Sequence, residues 1–112
     1  MTYVPDRGNI VKINFDPQAG REQFGRRPAL VISPKTYNDK VGWALFCPIT
    51  KQSKGYPFEV ELHGGPHRTE GVVLSDHVKS LDWKIRRTQF VEKATMAVIS
   101  KVQKNIQKLL VE

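Results

Sequence analysis

One acid lies among three arginines within seven positions, directly before an apolar segment. In REQFGRR, which begins at residue 21, Glu22 and Gln23 follow the first arginine and precede the pair Arg26 and Arg27. A guanidinium group carries a fork of N–H donors that matches the oxygens of a phosphate or a carboxylate. A carboxylate beside such a cation can accept a proton during a reaction. The spacing therefore indicates a site for an anionic ligand, with acid–base chemistry available if these groups converge.

A second polar loop, TKQSKGYPF at residues 50–58, carries further groups that suit a phosphate. Both loops are longer than a small barrel requires, and loops on a rigid scaffold concentrate binding and catalysis. Metal-free cleavage of RNA needs a base for the 2′-OH, a cation for the phosphoryl oxygens and a proton donor for the departing 5′-oxygen. Glu22 could be the base and Arg27 the cation, and Thr50 could donate a hydrogen bond to the phosphate, provided that the three converge.

The same residues also have purely structural interpretations. A glutamate between arginines commonly forms an ion pair on the surface. Arg27 before Pro28 could simply begin a strand, and a threonine such as Thr50 at a strand end is typical of a turn. Spacing in the sequence does not decide between these interpretations and a reactive site.

The sequence predicts no metal site and no cofactor. His63 and His67 have the spacing H-x₃-H, but HGGPH cannot form a helix and no cysteine pair accompanies it. Cys47 lies in an apolar segment and is interpreted as an inert core thiol. Neither a Ser-His-Asp motif nor a phosphate-binding glycine loop is present.

Length and charge restrict the class of protein. The 112 residues suffice for one core, so we expect a single domain over residues 1–112. The net charge of +7 favours a polyanionic partner, either nucleic acid or an acidic protein, over a membrane surface. The apolar runs are too short to cross a bilayer, no signal peptide is recognisable, and one cysteine excludes an internal disulfide. These features predict a cytoplasmic protein.

Apolar patterning predicts six short strands and one helix. The strands are Ile10–Phe15, Ala29–Ser33, Trp43–Ile49, Phe58–Leu62, Val72–Ser75 and Lys84–Val91. Residues 33–42 are predicted as a loop, and Pro48 is interpreted as the mark of a strand edge or bulge. The C-terminal helix has an apolar face that consists of Ile99, Val102, Ile106, Leu109 and Leu110. Strands without crossover helices indicate a mainly β protein, an antiparallel barrel or sandwich, and we expect an SH3-like β-barrel with a C-terminal helix.

Four segments in order resemble the MazF/PemK toxins of bacterial toxin–antitoxin modules. They are VPDRGNIVKINFDP, EQFGRRPALVISP, PITKQSKGYPFEV and SDHVKSLDW, which together run from about Tyr3 to Trp83. The resemblance implies a homodimer of SH3-like barrels of the MazF/PemK/CcdB type that cuts single-stranded RNA, chiefly mRNA, at short sequences. It implies cleavage without a metal ion that leaves a cyclic phosphate and a 5′-OH. It also implies an acidic, MazE-like cognate antitoxin whose extended segment blocks the RNA site.

The resemblance also assigns roles to single residues. Arg27 in RRPALV matches the catalytic arginine, Thr50 in PITKQSKG matches the catalytic threonine, and Glu22 matches an acid that supports catalysis in some relatives. RNA contacts are implied for polar residues of both loops and of SDHVKS, namely Arg26, Gln23, Gln52, Ser53, Lys54, Asp76, His77 and Lys79. His77 stands where the family pattern has glutamine, which leaves the preferred bases open, although an A-rich triplet such as ACA is typical of similar toxins.

Two functions of other classes stay open at this point. The chain could be a noncatalytic SH3-like module that binds nucleic acid or protein, or a gyrase-poisoning toxin of the sister family. The motifs RRP and PIT favour the nuclease, because a gyrase poison has no need of them.

Overall fold

The computed structural model describes residues 3–15 and 26–111, and these form seven β-strands and two helices. In chain order the elements are β1 (Asn9–Asn14), β2 (Arg26–Val31), α1 (Lys35–Val41), β3 (Trp43–Thr50), β4 (Glu59–Glu61), β5 (Val72–Leu74), β6 (Lys79–Asp82), β7 (Gln89–Lys93) and α2 (Met96–Val111). The strands pair antiparallel in the order β4-β5-β3-β2-β1-β7, with β6 paired to β3. The predicted mainly β fold with a C-terminal helix is confirmed.

Strand β3 is central to the sheet and changes partners along one of its sides. Its first half pairs with β6 as far as Phe46, and its last two residues, Ile49 and Thr50, pair with β5. Along a strand, the backbone N–H and C=O groups of successive residues point alternately to the two neighbouring strands. Those of Leu45 point toward β2, so the backbone N of Pro48, three residues later, points away from β2. The missing N–H of Pro48 therefore falls at the break between the two partners. Of the two alternatives predicted for Pro48, the bulge is wrong, because β3 continues through it in regular register with β2. The edge agrees with the other side of β3, where pairing with β6 ends at Phe46 and pairing with β5 begins at Ile49.

Apolar side chains pack on both faces of the central strands. One cluster lies under α2 and includes Ile10, Leu30, Cys47, Ile49, Val73, Val98 and Val102. The other lies on the opposite face and includes Val11, Ile13, Ala29, Val31, Phe46, Leu81 and Trp83. Alternate residues of β1 and β2 thus enter different clusters, which agrees with the prediction that the apolar run after Pro28 is buried on both faces.

Helix α1 occupies a segment that the sequence predicts as a loop. Its centre is Asn38, whose buried amide donates to the carbonyl oxygens of Pro5 at 2.8 Å and Ser33 at 3.0 Å. The Asn38 carbonyl in turn accepts the indole N–H of Trp83 at 2.9 Å. Gly42 ends the helix with φ of +82°. Buried polar contacts hold this short helix, and it has no apolar stripe that the sequence pattern could reveal.

The prediction of one strand at Lys84–Val91 is also wrong. The carboxylate of Asp82 accepts the backbone N–H groups of Lys84 and Ile85, which begins a turn, and β7 starts only at Gln89. The unpredicted strand β6 precedes this turn and buries only Leu81 fully. A strand with one buried side chain has no alternating apolar pattern in the sequence. Strand β6 is therefore recognisable only from its pairing with β3 in the structure.

Helix α2 packs its first half against the sheet. The Thr95 hydroxyl accepts the N–H of Val98 at 3.3 Å, and Val98, Ile99 and Val102 are buried. Leu109 and Leu110, which the apolar period places on the same face, are 53% and 79% exposed because the helix extends past the core. Within the described part of the chain, no helix combines the length and apolar character needed to cross a membrane.

Gly8 ties this helix to the sheet and generates a testable prediction. Its N–H donates to Val31 and its C=O accepts from Ala94, while its φ is +92° and a Cβ would lie 2.6 Å from Cδ1 of Ile99. Gly8→Ala should therefore lower the free energy of unfolding in urea by about 1–2 kcal/mol from backbone strain, plus the cost of this clash. Gly42→Ala is the matched control, because its φ is also positive but a Cβ there meets nothing within 4 Å.

The clash can be isolated with a double-mutant cycle. Ile99→Val removes only the Cδ1 methyl group, so Gly8→Ala should cost less in that background than in the wild type. An equal cost in both backgrounds would contradict this packing.

Candidate functional site

A cleft opens where the ends of β1, β2 and β3 meet the loop between β4 and β5. Its volume is about 850 Å³. The residues that line it, called here the Arg27–Thr50 cleft, are Lys12, Arg27, Pro28, Ile49, Thr50, Lys51, Gln52, Arg68, Thr69, Glu70 and Val91. Two of the three residues predicted to act in catalysis, Arg27 and Thr50, thus share one cavity.

The sheet register brings these two residues together. The last pair between β2 and β3 is Ala29 with Pro48, so Arg27 and Thr50 each lie two residues beyond it, at the same end of the two strands. On its other side Arg27 pairs with Ile13 of β1. Arg27 therefore lies inside a strand, two residues earlier than the predicted strand start at Ala29. Its backbone is fixed by pairing while its side chain stays exposed.

The hydroxyl group of Thr50 has a defined hydrogen-bonding role. Its Oγ1 accepts the backbone N–H of Gln52 at 3.2 Å. An oxygen that accepts this bond still carries its own hydrogen, which is free to be donated to a ligand in the cleft. Gln52, predicted to contact a ligand, also lines the cleft and lies two residues after the end of β3.

Most of the other predicted ligand-binding residues lie outside this cleft. The Arg26 guanidinium donates to the Arg87 carbonyl at 3.1 Å and to the side chain of Gln89, and so joins β2 to the start of β7. Lys79 places its ammonium 5.9 Å from the ring centre of Phe15. Glu22 and Gln23 fall in residues 16–25, outside the described part of the chain, so their predicted roles remain predictions.

Ser53 and Lys54 lie in a loop that Glu59 organises. The Glu59 carboxylate accepts the Ser53 hydroxyl at 2.8 Å and the backbone N–H groups of Lys54 and Gly55, each at 2.9 Å. The hydrogen bond from the Lys54 N–H, together with those from Ser53 and Gly55, holds the pKa of Glu59 below its usual value. The Ser53 hydroxyl is thus engaged in the loop, whereas the Lys54 side chain is exposed.

Asp76 and His77 form a separate polar group at the turn after β5. Tyr56 donates its phenol to Asp76 at 3.1 Å, and Nε2 of His77 lies 3.8 Å from the same carboxylate. Desolvation and then this hydrogen bond raise the pKa of Tyr56. The contact links the loop of residues 51–58 to the turn that carries His77. Asp76 and His77 are therefore neighbours of the second loop rather than of Arg27.

Cys47 and one of the two paired histidines, His67, have structural surroundings. Cys47 is buried, in agreement with a core thiol, and burial, with a smaller effect of the Asp76 charge, raises its pKa to about 12, which disfavours the reactive thiolate. Nε2 of His67 accepts the N–H of Thr95 at 3.0 Å, and Nδ1 lies 3.3 Å from the carbonyl of Leu62. Both ring nitrogens thus face backbone groups. Among residues 3–15 and 26–111, no three His, Cys, Asp or Glu side chains come together as a metal site.

The cleft also contains residues that the sequence did not single out. Lys12 is the one exposed residue of β1, and all the other residues of that strand are buried. A single lysine in an otherwise buried strand could have indicated a functional position from the sequence. Arg68, Thr69 and Glu70 come from HGGPHRTEG, which the sequence shows only as a turn-rich loop. Among the described lining residues, four cations (Lys12, Arg27, Lys51 and Arg68) accompany one carboxylate. The cleft therefore favours an anion.

Gly71 brings that loop directly against Thr50. A Cβ at Gly71 would lie 2.3 Å from the carbonyl oxygen of Thr50, and its φ is +119°. Only glycine tolerates both conditions without movement of the backbone. Glu70, the residue before Gly71, is thereby held at the cleft beside Thr50.

Known proteins share this sequence and this fold. Residues 6–110 match the family model of the PemK-like, MazF-like toxins of type II toxin–antitoxin systems. Endoribonuclease toxin MazF of Escherichia coli K12 is 54% identical over 84 residues, which cover 75% of this chain and 74% of that protein. The crystal structure of MazF from Deinococcus radiodurans superposes with a TM-score of 0.88 at 49% identity, covering 99% of this chain and 100% of the other. A MazE–MazF complex from the same organism gives 0.85 at 44% identity, with 97% of each chain covered.

The barrel-like fold of these neighbours agrees with the predicted SH3-like barrel. The family match spans nearly all of the chain and includes the strands that carry Arg27 and Thr50. The chain belongs to the PemK-like, MazF-like toxins of type II toxin–antitoxin systems.

Proposed function

We propose that this protein is an endoribonuclease toxin that cuts single-stranded RNA at a short sequence and is neutralised by a cognate antitoxin. The observation that carries the proposal is the shared cleft of Arg27 and Thr50, in which cations outnumber carboxylates. The E. coli relatives MazF and PemK are endoribonucleases, which supports it. The pairing of MazE with MazF in the D. radiodurans crystals supports an antitoxin partner.

In the proposed reaction the scissile phosphate binds between Arg27 and Thr50. The Arg27 guanidinium donates to the phosphoryl oxygens and stabilises the charge that develops on them. The Thr50 hydroxyl accepts from Gln52 and donates its own hydrogen to the same phosphate. Lys12 and Lys51 add positive charge to the cleft. These groups need no metal ion to stabilise the transition state.

Covalent change in this mechanism is confined to the RNA. The 2′-OH gives its proton to a base, for which Glu22 is the proposed group, and its oxygen attacks the adjacent phosphorus. The bond from phosphorus to the 5′-oxygen breaks, and that oxygen takes up a proton. The products are a 2′,3′-cyclic phosphate and a 5′-OH.

The remaining predicted RNA contacts are proposed to read bases along the same strand. Arg26, Ser53, Lys54, Asp76, His77 and Lys79 lie outside the cleft, as described above, while Gln52 lies in it. We place them in a groove that a homodimer completes, with Gln23 in the same loop as Glu22. Unstacked bases are recognised by stacking and by hydrogen bonds to their edges, which histidine and amide side chains can provide.

The antitoxin is proposed to use the same charges as the RNA. An acidic segment that binds this protein would meet a net charge of +7 and the four cations of the cleft. Its association rate would then fall as salt rises, and its binding would compete with RNA.

Arg27→Ala should remove cleavage and leave the fold intact. Loss of one group that stabilises phosphoryl charge typically lowers kcat by about 10²–10³-fold. Arg27→Lys should also be strongly impaired, because an ammonium cannot reproduce the fork of the guanidinium. Cleavage of a defined oligonucleotide measures both variants, and urea unfolding checks the fold. Arg7→Ala is the control, since Arg7 is exposed and donates to the Ile32 carbonyl away from the cleft. A folded Arg27→Ala protein that cuts at the normal rate would disprove the assignment.

The proposed chemistry depends on the 2′-OH and not on a divalent ion. A single 2′-deoxy substitution just upstream of the cut should abolish cleavage at that site, whereas the same substitution elsewhere in the strand should not. Cleavage should persist in EDTA, and mass spectrometry should find 2′,3′-cyclic phosphate ends. Loss of activity in EDTA with recovery on addition of one divalent ion would contradict the mechanism.

His77→Gln should change the preferred bases and leave a measurable rate, because His77 lies beside Asp76 and outside the cleft that holds Arg27. Primer extension on a long digested RNA would show the change. Collapse of the rate on every RNA, together with loss of a pH-profile limb near ~6–7, would instead make His77 an acid–base group.

A further inference from the structure

The segment Arg68–Glu70 forms a fixed wall of the Arg27–Thr50 cleft. Glu92 on β7 accepts the backbone N–H of Arg68 at 3.0 Å, the backbone N–H of Thr69 at 2.8 Å and the Thr69 hydroxyl at 2.6 Å. Desolvation acts to raise the pKa of Glu92, but these hydrogen bonds outweigh it and the pKa lies below its usual value. The charged carboxylate is therefore the anchor of the wall at physiological pH.

A second anchor holds the other end of the same wall. Gly71 lies against the carbonyl group of Thr50, closer than any side chain would allow. The wall is thus fixed to β7 at one end and to the strand end that carries Thr50 at the other. Such a doubly held segment presents its side chains to the cleft with little loss of entropy on binding.

Arg68 is the cation that this wall presents. Its Nη2 donates to the Val91 carbonyl at 3.1 Å, its Nε lies 4.0 Å from the Glu92 carboxylate, and its side chain is 78% exposed. Guanidinium has five N–H donors, and among the described residues no partner engages those on Nη1. By contrast, the Arg26 guanidinium donates to both Arg87 and Gln89. The Arg86 guanidinium donates to the carbonyl groups of Asn14 and Phe15. The contacts of Nη2 and Nε thus orient the Arg68 guanidinium, while the N–H donors on Nη1 stay available for a ligand.

We propose that Arg68 binds a phosphate of the RNA backbone other than the one that is cut, and that Glu92 is the residue that positions it. This inference rests on the proposed function, in which Arg27 takes the scissile phosphate. One cleft that contains both guanidinium groups then fits two phosphodiesters of one strand. The contact adds affinity for the strand without reading its sequence.

The test neutralises single phosphates in the RNA. Methylphosphonate is placed at one linkage at a time in a cleavable oligonucleotide, and kcat and KM are measured for wild type and for Arg68→Ala. At one linkage other than the cut site, neutralisation should raise the wild-type KM by about 10-fold or more. In Arg68→Ala the KM should already be raised, and neutralisation of that linkage should have no further effect, while kcat stays close to normal.

Arg7→Ala provides the matched control for charge. It removes the same net charge and the same kind of bond to a backbone carbonyl, but it lies away from the cleft. The linkage-specific effect should therefore persist in Arg7→Ala. The inference would be overturned if the methylphosphonate effect at every non-scissile linkage were the same in wild type and in Arg68→Ala. It would also be overturned if Arg68→Ala lost only antitoxin binding and kept a normal KM for RNA.

Glu92→Gln tests the positioning role. Glutamine can accept from Thr69, but its amide would present a donor to the N–H of Arg68, so the wall should loosen. Its KM should rise and the effect of the critical methylphosphonate should shrink, with kcat retained and with folding confirmed in urea. An unchanged KM and an unchanged methylphosphonate effect in a folded Glu92→Gln protein would refute the role of Glu92.

Failure of the proposed function gives a different result. If wild type cuts no RNA, that function is wrong, but the same methylphosphonate series in a 2′-deoxy strand still reports binding at equilibrium. If neutralisation of one linkage weakens binding to wild type but not to Arg68→Ala, Arg68 remains a phosphate-binding residue. If no linkage shows this difference, Arg68 does not bind a phosphate.

Discussion

Strand β3 changes partners at Pro48, and the geometry of the cleft depends on that change. Before the proline, β3 pairs with β6, and after it the chain pairs with β5. The second pairing carries the loop between β4 and β5 across the end of β3, where Gly71 meets the carbonyl group of Thr50. That contact fixes the Gly71 end of the loop relative to Thr50, while Glu92 holds the Arg68 end.

The regular pairing between β2 and β3 sets the other half of the cleft. Pro28 lies one residue beyond the last pair of these two strands, so its missing N–H leaves no gap in the ladder. Arg27 lies one residue further, still paired to Ile13 of β1. A phosphate between Arg27 and Thr50 would therefore meet side chains on a braced part of the sheet. Such preorganisation reduces the cost of ordering the site during reaction.

The distribution of charge has a simple structural origin. Several acids accept backbone N–H groups: Asp6 accepts from Arg7 and Lys35, and Asp82 begins the turn before β7. Glu59 and Glu92 organise the two loops next to Thr50 in the same manner. Acids that are engaged in this way are less available to neutralise the lysines and arginines of the cleft. Among the described lining residues of the cleft, four cations accordingly accompany the single carboxylate of Glu70.

The sequence by itself determined the features that arise from local patterns. The central strands and α2 follow from apolar period, because burial against a sheet imposes that period on neighbouring residues. The choice of Arg27 and Thr50 followed from motifs, and their common cleft agrees with it. Helix α1 and strand β6 escaped prediction because a buried amide and a partner strand, rather than an apolar stripe, hold them in place.

Only the tertiary structure decided which other residues join the cleft. Lys12 lies far in sequence from Arg68 and Glu70, and they meet because β1 and the loop before β5 converge on the end of β3. The role of Glu92 as an anchor depends on hydrogen bonds to a segment more than twenty residues away. Such contacts leave no periodic trace in the chain, since each one fixes a single pair of positions and not a repeating set.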